Sequence, residues 1–273
     1  VTAWCDGNAN GLPDPEEEPK SLKVVAIEPK IVSIQDFNTL RQLQDPDGAC
    51  LGDTLHYAGT VLPFVHPGAT FEWQARHRPA GKYQTFGIAQ KDIDYTEATA
   101  GDFDVRLRIT VGGTTCSSAP WRVVIMDPKI LTVESPPGTQ LPNPASVCIG
   151  DVVRYSGTTG VDQLNGQGMT IKWEYRPRPN GPWKKDPFGI ALKYDRTETE
   201  PEDFERRLTS SFGTAECHSA LRRVIVVQVT IGSIFDVTAA RNLADPDGTC
   251  INHTLKYSGV VIPDLPNEMT FKW

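Results

Sequence analysis

The sequence predicts an all-β chain of tandem two-sheet sandwiches stacked end to end. Three observations carry that prediction. A strand of alternating polar and apolar residues ending in tryptophan recurs as Thr70–Trp73, Thr170–Trp173 and Thr270–Trp273, at intervals of 100 residues. Six cysteines fall into two series: Cys50, Cys148 and Cys250 shortly precede a repeated tryptophan, and Cys5, Cys116 and Cys217 lie late in each copy. The composition, with 23 glycines and 22 prolines, is rich in turn formers and short of helix signals. A tryptophan at one place in each copy reads as a large buried anchor, so Trp73, Trp173 and Trp273 are the expected core.

Residues 1–29 read as the final strands of a repeat whose body lies upstream. Cys116 leads into Trp121-Arg122-Val123-Val124-Ile125 and Cys217 into Arg222-Arg223-Val224-Ile225-Val226. Cys5 reaches the matching Leu22-Lys23-Val24-Val25-Ala26 only after a detour. That detour fits a calcium loop: Asp6, Asn8 and Asn10 at alternate positions, Gly11 for the sharp turn, Leu12 offering a carbonyl, then Asp14 and Glu17. A hard cation needs several oxygens converging from one loop, and this spacing supplies them. The plainer reading is a solvated acidic turn.

Residues 30–128 form the first whole repeat. Ile31–Ile34 opens it, and Leu55-His56-Tyr57 is a second alternating strand. Between them Asp45-Pro46-Asp47-Gly48 reads simply as a turn, contact of its acidic side chains with calcium or a neighbouring domain being the lesser alternative. Phe103, Val105, Leu107, Ile109 and Val111 share one strand face, and Gly112-Gly113 turns the chain into the last strand. Residues 129–229 repeat the scheme, and 230–273 carry the first half of a third copy. The last strand of one copy enters the first strand of the next within a few residues. This predicts stiff stacking, with further copies expected beyond both ends.

Two cysteines per small all-β repeat point to disulfides and an oxidising, extracellular compartment. Pairing within each repeat, Cys50 with Cys116 and Cys148 with Cys217, is the favoured expectation. A strand trace opens the other possibility. It puts the first series at the bottom of each sandwich and the second at the top, so that Cys50 with Cys217 would join neighbours.

Functions are excluded as well as suggested. A net charge of −7 lacks the basic footprint of a nucleic-acid binder. No apolar run reaches the roughly 18 residues of a membrane span. HExxH, GxSxG and Walker sequences are missing, and the histidines share no metal-ligand spacing, so no enzyme is expected. Arg76, Arg78, Arg176 and Arg178 form a basic island, read as pairing with loop carboxylates of their own domain. Tyr83 and Trp183 follow equivalent glycine turns and are read as packing over the sheet edge rather than as sugar platforms.

Short strands, a mid-domain tryptophan and one cysteine in each half suggest an immunoglobulin-like sandwich of about seven strands. The pattern of Cys148-Ile149-Gly150-Asp151, Trp173 and Arg206-Arg207 leading to Cys217-His218-Ser219 resembles repeats of giant Bacteroidota surface proteins. These include gliding-motility adhesins and other products of type IX secretion. The resemblance implies a non-enzymatic segment of a cell-surface adhesin, a rigid stalk or self-associating filament. Its partners would be other repeats of the same chain, further copies in a fibre, or a surface glycan. The alternative is a glycan-binding or spacer module of a secreted carbohydrate-active protein.

Overall fold

The computed structural model describes residues 2–3, 20–21, 26–63, 67–245, 247–248 and 250–263. Cys5, the calcium-loop residues Asp6 to Glu17 and Trp273 lie outside them. The chain is all-β, with one short 3-10 turn, Asp162–Leu164, among the described residues. Thr2–Ala3 (β1) pairs antiparallel with Lys20–Ser21 (β2).

The first sandwich is built from Glu28–Asp36 (β3), Arg41–Gln42 (β4), Asp47–Cys50 (β5), Thr54–Leu62 (β6), Thr70–His77 (β7), Gln84–Ile88 (β8), Asp92–Thr96 (β9), Gly101–Val111 (β10), Thr114–Ser117 (β11) and Trp121–Met126 (β12). One sheet has the order β4-β3-β6-β9, and the other β5-β12-β10-β7-β8. Strand β11 pairs with the far half of β10, while β12 pairs with its near half. The alternation seen in the sequence becomes two faces. Val105, Leu107 and Ile109 turn inward with Trp73, which is fully buried against Tyr57 at 5.4 Å between ring centroids. Truncating such an anchor typically costs about 3–5 kcal/mol.

The second sandwich repeats this plan. Its strands are Lys129–Glu134 (β13), Ala145–Cys148 (β14), Val152–Thr158 (β15), Met169–Pro177 (β16), Lys184–Lys185 (β17), Lys193–Thr197 (β18), Glu202–Phe212 (β19), Ala215–His218 (β20) and Arg222–Asp236 (β21). Trp173 is fully buried beside Tyr155. Strand β21 does not stop at the repeat boundary. Its first half closes the second sandwich, and its second half pairs with Arg241–Leu243 (β22) and Leu255–Ile262 (β23) of the third unit. Ile234 faces Tyr257 as Ile34 faces Tyr57, and both pairings carry the same register shift.

One feature of the topology sets the ends of each unit. In both sandwiches the strand bearing the first-series cysteine runs parallel to the closing strand, with Cys50 opposite Met126 and Cys148 opposite Val227. These cysteines lie where the chain leaves the repeat. The second-series cysteines sit at the opposite end, beside the hairpin tips, with Cys116 opposite Ile109 and Cys217 opposite Ser210.

Candidate functional site: the junction between repeats

The foot of the first sandwich meets the hairpin tip of the second. Val124 and Met126 of β12, both fully buried, join one apolar cluster with Val161, Leu164, Phe212 and Ala215 of the second repeat. Arg122 lies over the Phe212 ring, 5.3 Å from its centroid. A disulfide joins Cys50 to Cys217 across this seam. The favoured expectation of bridges within each repeat, Cys50–Cys116 and Cys148–Cys217, is therefore corrected. The physical reason is the parallel β5–β12 pairing, which carries Cys50 to the foot while Cys116 stays at the head. Cys116, Cys148 and Cys250 are free thiols among the described residues.

Beside the disulfide is a polar lock. Asp47 is fully buried, and its carboxylate accepts hydrogen bonds from the Thr214 backbone N–H at 2.9 Å and hydroxyl at 3.0 Å. Gln44 and Gly48 N–H groups also donate to it, and Arg41 pairs with it at 2.7 Å. The Arg41 guanidinium further donates to the Thr214 hydroxyl and to the Gly48 carbonyl. Burial pushes the Asp47 carboxyl up, but these donors outweigh it and hold the group below the ordinary carboxylate range. Two glycines make the approach possible. A Cβ on Gly213, which has φ +60°, would stand 2.2 Å from Asp47 Oδ1. A Cβ on Gly48 would stand 2.9 Å from the Phe212 carbonyl oxygen. The Asp47 turn thus serves the neighbouring domain, one of the uses its sequence left open. Thr214 and Gly213 carry no motif and were not legible beforehand.

The basic island pairs with carboxylates of its own domain, but these lie on strands β10 and β19 rather than in the expected loops. Arg76 and Arg78 bond Asp104, Arg178 lies 3.8 Å from Asp203, and Arg176 bonds Glu205. The aromatic candidates are covered by cations. Arg106 lies 3.7 Å above the Tyr83 ring and Arg207 4.2 Å above Trp183. Thr54 is the first residue of β6 and shares a hydrogen bond with Thr96.

The second repeat hides a charge where the first has an apolar residue. Arg206 occupies the position of Val105 and is fully buried. It pairs with Asp186, bonds the Tyr194 hydroxyl at 2.6 Å, lies 3.3 Å from Glu198, and covers the Tyr155 ring at 4.2 Å. The first repeat retains the acid, Glu97, held by the Tyr57 hydroxyl at 2.6 Å, beside a cavity of about 340 Å³ lined by Phe86, Phe103 and Val105. Burial raises the Glu97 carboxyl above its ordinary value. A raised folded-state value stabilises below the unfolded one and is lost as pH rises through the folded one. Glu97→Gln, which keeps the acceptor for Tyr57, is expected to stabilise the first repeat at pH 7. The gain shrinks toward pH 4, as read from urea midpoints at the two pH values.

No family model matches the chain, and no curated protein matches it. Among solved structures, the chain is similar to the C-terminal domain of the Streptococcus agalactiae AgI/II polypeptide BspA. Identity is 10%, the overlay covers 74% of this chain and 100% of that one, and the TM-score is 0.28. A likeness at that level carries no argument about activity or partner. Among the described residues no group of three or more His, Cys, Asp or Glu converges as a metal site. No described helix is long and apolar enough to cross a membrane.

Proposed function

We propose that this chain is a segment of a non-enzymatic extracellular stalk, in which sandwich repeats stack rigidly to project a distal element or to assemble into a fibre. The observation that carries the reading is the junction. An apolar seal, a buried ionic lock, a disulfide and the chain itself all cross one seam. A spacer with independent domains has no use for such a joint. The disulfide supports an oxidising, extracellular setting. Calcium held by Asp6, Asn8, Asn10, Leu12, Asp14 and Glu17 would stiffen the joint upstream. The resemblance to repeats of Bacteroidota surface adhesins supports a cell-surface location. The glycan-binding alternative loses its platforms, because guanidinium groups cover Tyr83 and Trp183.

Small-angle scattering on the full chain tests the reading. The expected profile is that of a rod one sandwich thick. Gly213→Val, which crowds Asp47 and strains a left-handed position, is expected to bend the rod at the first junction and leave both sandwiches folded. A profile typical of beads on a flexible string for the unsubstituted chain would sink the stalk reading.

A further inference from the structure

We infer that the cavity of the first sandwich is a binding site for a guanidinium group, taken between Phe86, Tyr95 and Phe103 with Glu97 as its counter-ion. The second sandwich fills the same place from within. There Arg206 and Arg196 meet Glu198 and Asp186, two guanidinium groups against two carboxylates. The Arg206 guanidinium lies 4.2 Å from the Tyr155 ring centroid and 4.9 Å from that of Phe204.

Strand register carries each of these residues onto the first sandwich. Tyr57, Glu97 and Phe103 keep the positions of Tyr155, Glu198 and Phe204. The cations do not recur. Val105 stands for Arg206, Tyr95 for Arg196, and Phe86 for Asp186. Opposite Val105 on the neighbouring strand is Ala75, where the second sandwich sets Tyr175 opposite Arg206. These two small residues open the cavity, and both line it. Its volume of about 340 Å³ falls within the roughly 300–1,000 Å³ of small-ligand pockets.

What remains is an acid without its cation. Glu97 keeps the tyrosine hydroxyl, 2.6 Å away on Tyr57, and among the described residues no arginine or lysine pairs with it. The walls suit a flat organic cation. Phe86 packs 4.8 Å from Tyr95, and Phe103 4.4 Å from His77, between ring centroids. Aromatic faces attract a guanidinium through its charge and through stacking of its plane. The cations of the wall do not compete for Glu97: Arg76 bonds Asp104, and Lys82 stands on the exposed rim. Gln84 and Thr99, also exposed, give entry from solvent. These walls all belong to the first sandwich, so the site stands apart from the stalk reading.

The test is an NMR titration of the full chain with ethylguanidinium, the end of an arginine side chain. Saturable shifts are expected at Phe86, Tyr95 and Glu97, with a Kd of about 1–10 mM. Urea, flat and of similar shape but neutral, is expected to give no saturable shift there. Glu97→Gln keeps the acceptor for Tyr57 and is expected to weaken binding at least about tenfold, as removal of a charge-assisted hydrogen bond does. Val105→Arg, which supplies the group from within as Arg206 does, is expected to abolish binding; should it not fold, Glu97→Gln decides. L-Arginine and N-acetylarginine amide separate the two sources of the group. Tighter binding of the first points to the free amino acid, and of the second to a side chain of a polypeptide. No saturable shift by about 50 mM ethylguanidinium overturns the inference. So does equal binding of urea, unchanged affinity in Glu97→Gln, or undiminished binding by folded Val105→Arg.

Discussion

Replacing Arg206 with leucine is expected to destabilise the second sandwich by about 3–5 kcal/mol, the cost typical of removing one partner from a buried ionic network. The side chains involved are closed to water: Arg206 and Asp186 fully, Glu198 at 3% exposure. After the change two carboxylates remain inside, with Arg196 as the cation still in contact with both. The hydroxyls of Tyr155 and Tyr194 point at the same acids, at 2.8 and 2.9 Å. Burial pushes the Asp186 carboxyl up, and Arg206 leads the groups that outweigh it and hold it low. A lowered folded-state value stabilises above the ordinary Asp value of about 3.9 and is lost as pH falls through the folded one. The difference between the two proteins is therefore largest near neutrality and narrows in acid. Arg206→Val combined with Asp186→Ser and Glu198→Gln removes the charges together and should recover much of the loss. Hydrogen exchange along β19 measures the second sandwich without assuming that the whole chain unfolds in one step. An opening free energy within 1 kcal/mol of the parent would overturn the account.

Removing the bridge, as Cys50→Ser with Cys217→Ser, is expected to cost about 2–4 kcal/mol at the junction. The Thr214 amide, which donates to Asp47 across the seam, is the local reporter. Its exchange should accelerate by two orders of magnitude or so, while amides of β6 and β15 in the two cores hardly change. Because Asp47 is held below the ordinary range, the remaining lock should persist down to about pH 4 and release below it. Cys116→Ser with Cys148→Ser is the control and should leave the junction amide unmoved. Equal protection of Thr214 with and without the bridge would show that the disulfide contributes nothing to the seam.

Most of the architecture could be read from the chain because repetition multiplied weak signals. One Thr-Phe-Glu-Trp stretch is an ambiguous strand, but aligned copies fix a period, and Trp73 and Trp173 are fully buried anchors. That the island's arginines pair within their own domain was legible, but the place of their partners was not: Asp104 and Glu205 lie directly across from Arg76 and Arg176 on neighbouring strands, not in loops. Disulfide partners were harder. Cys50 and Cys116 are near in sequence and both belong to one sandwich, but only the sheet path reveals that they occupy opposite ends. The lock at Asp47 depends on a threonine 167 positions away, a distance at which no local pattern speaks. Arg206 did leave a trace, since it breaks the inward alternation Phe204, Leu208 where the first repeat has Phe103, Val105, Leu107.

The position of the disulfide also decides which residues could ever bear tension. A pull along the stack enters the first repeat through β3, reaches Cys50, crosses directly to Cys217 and leaves through β21. The 167-residue separation between the two cysteines is bypassed, so most of both sandwiches lies outside the loaded path. At about 3.5 Å per extended residue, roughly 580 Å of chain is withheld from stretching. Were either sandwich to lose its fold under strain, the chain would lengthen by little at this joint, and the tether would remain covalent and short.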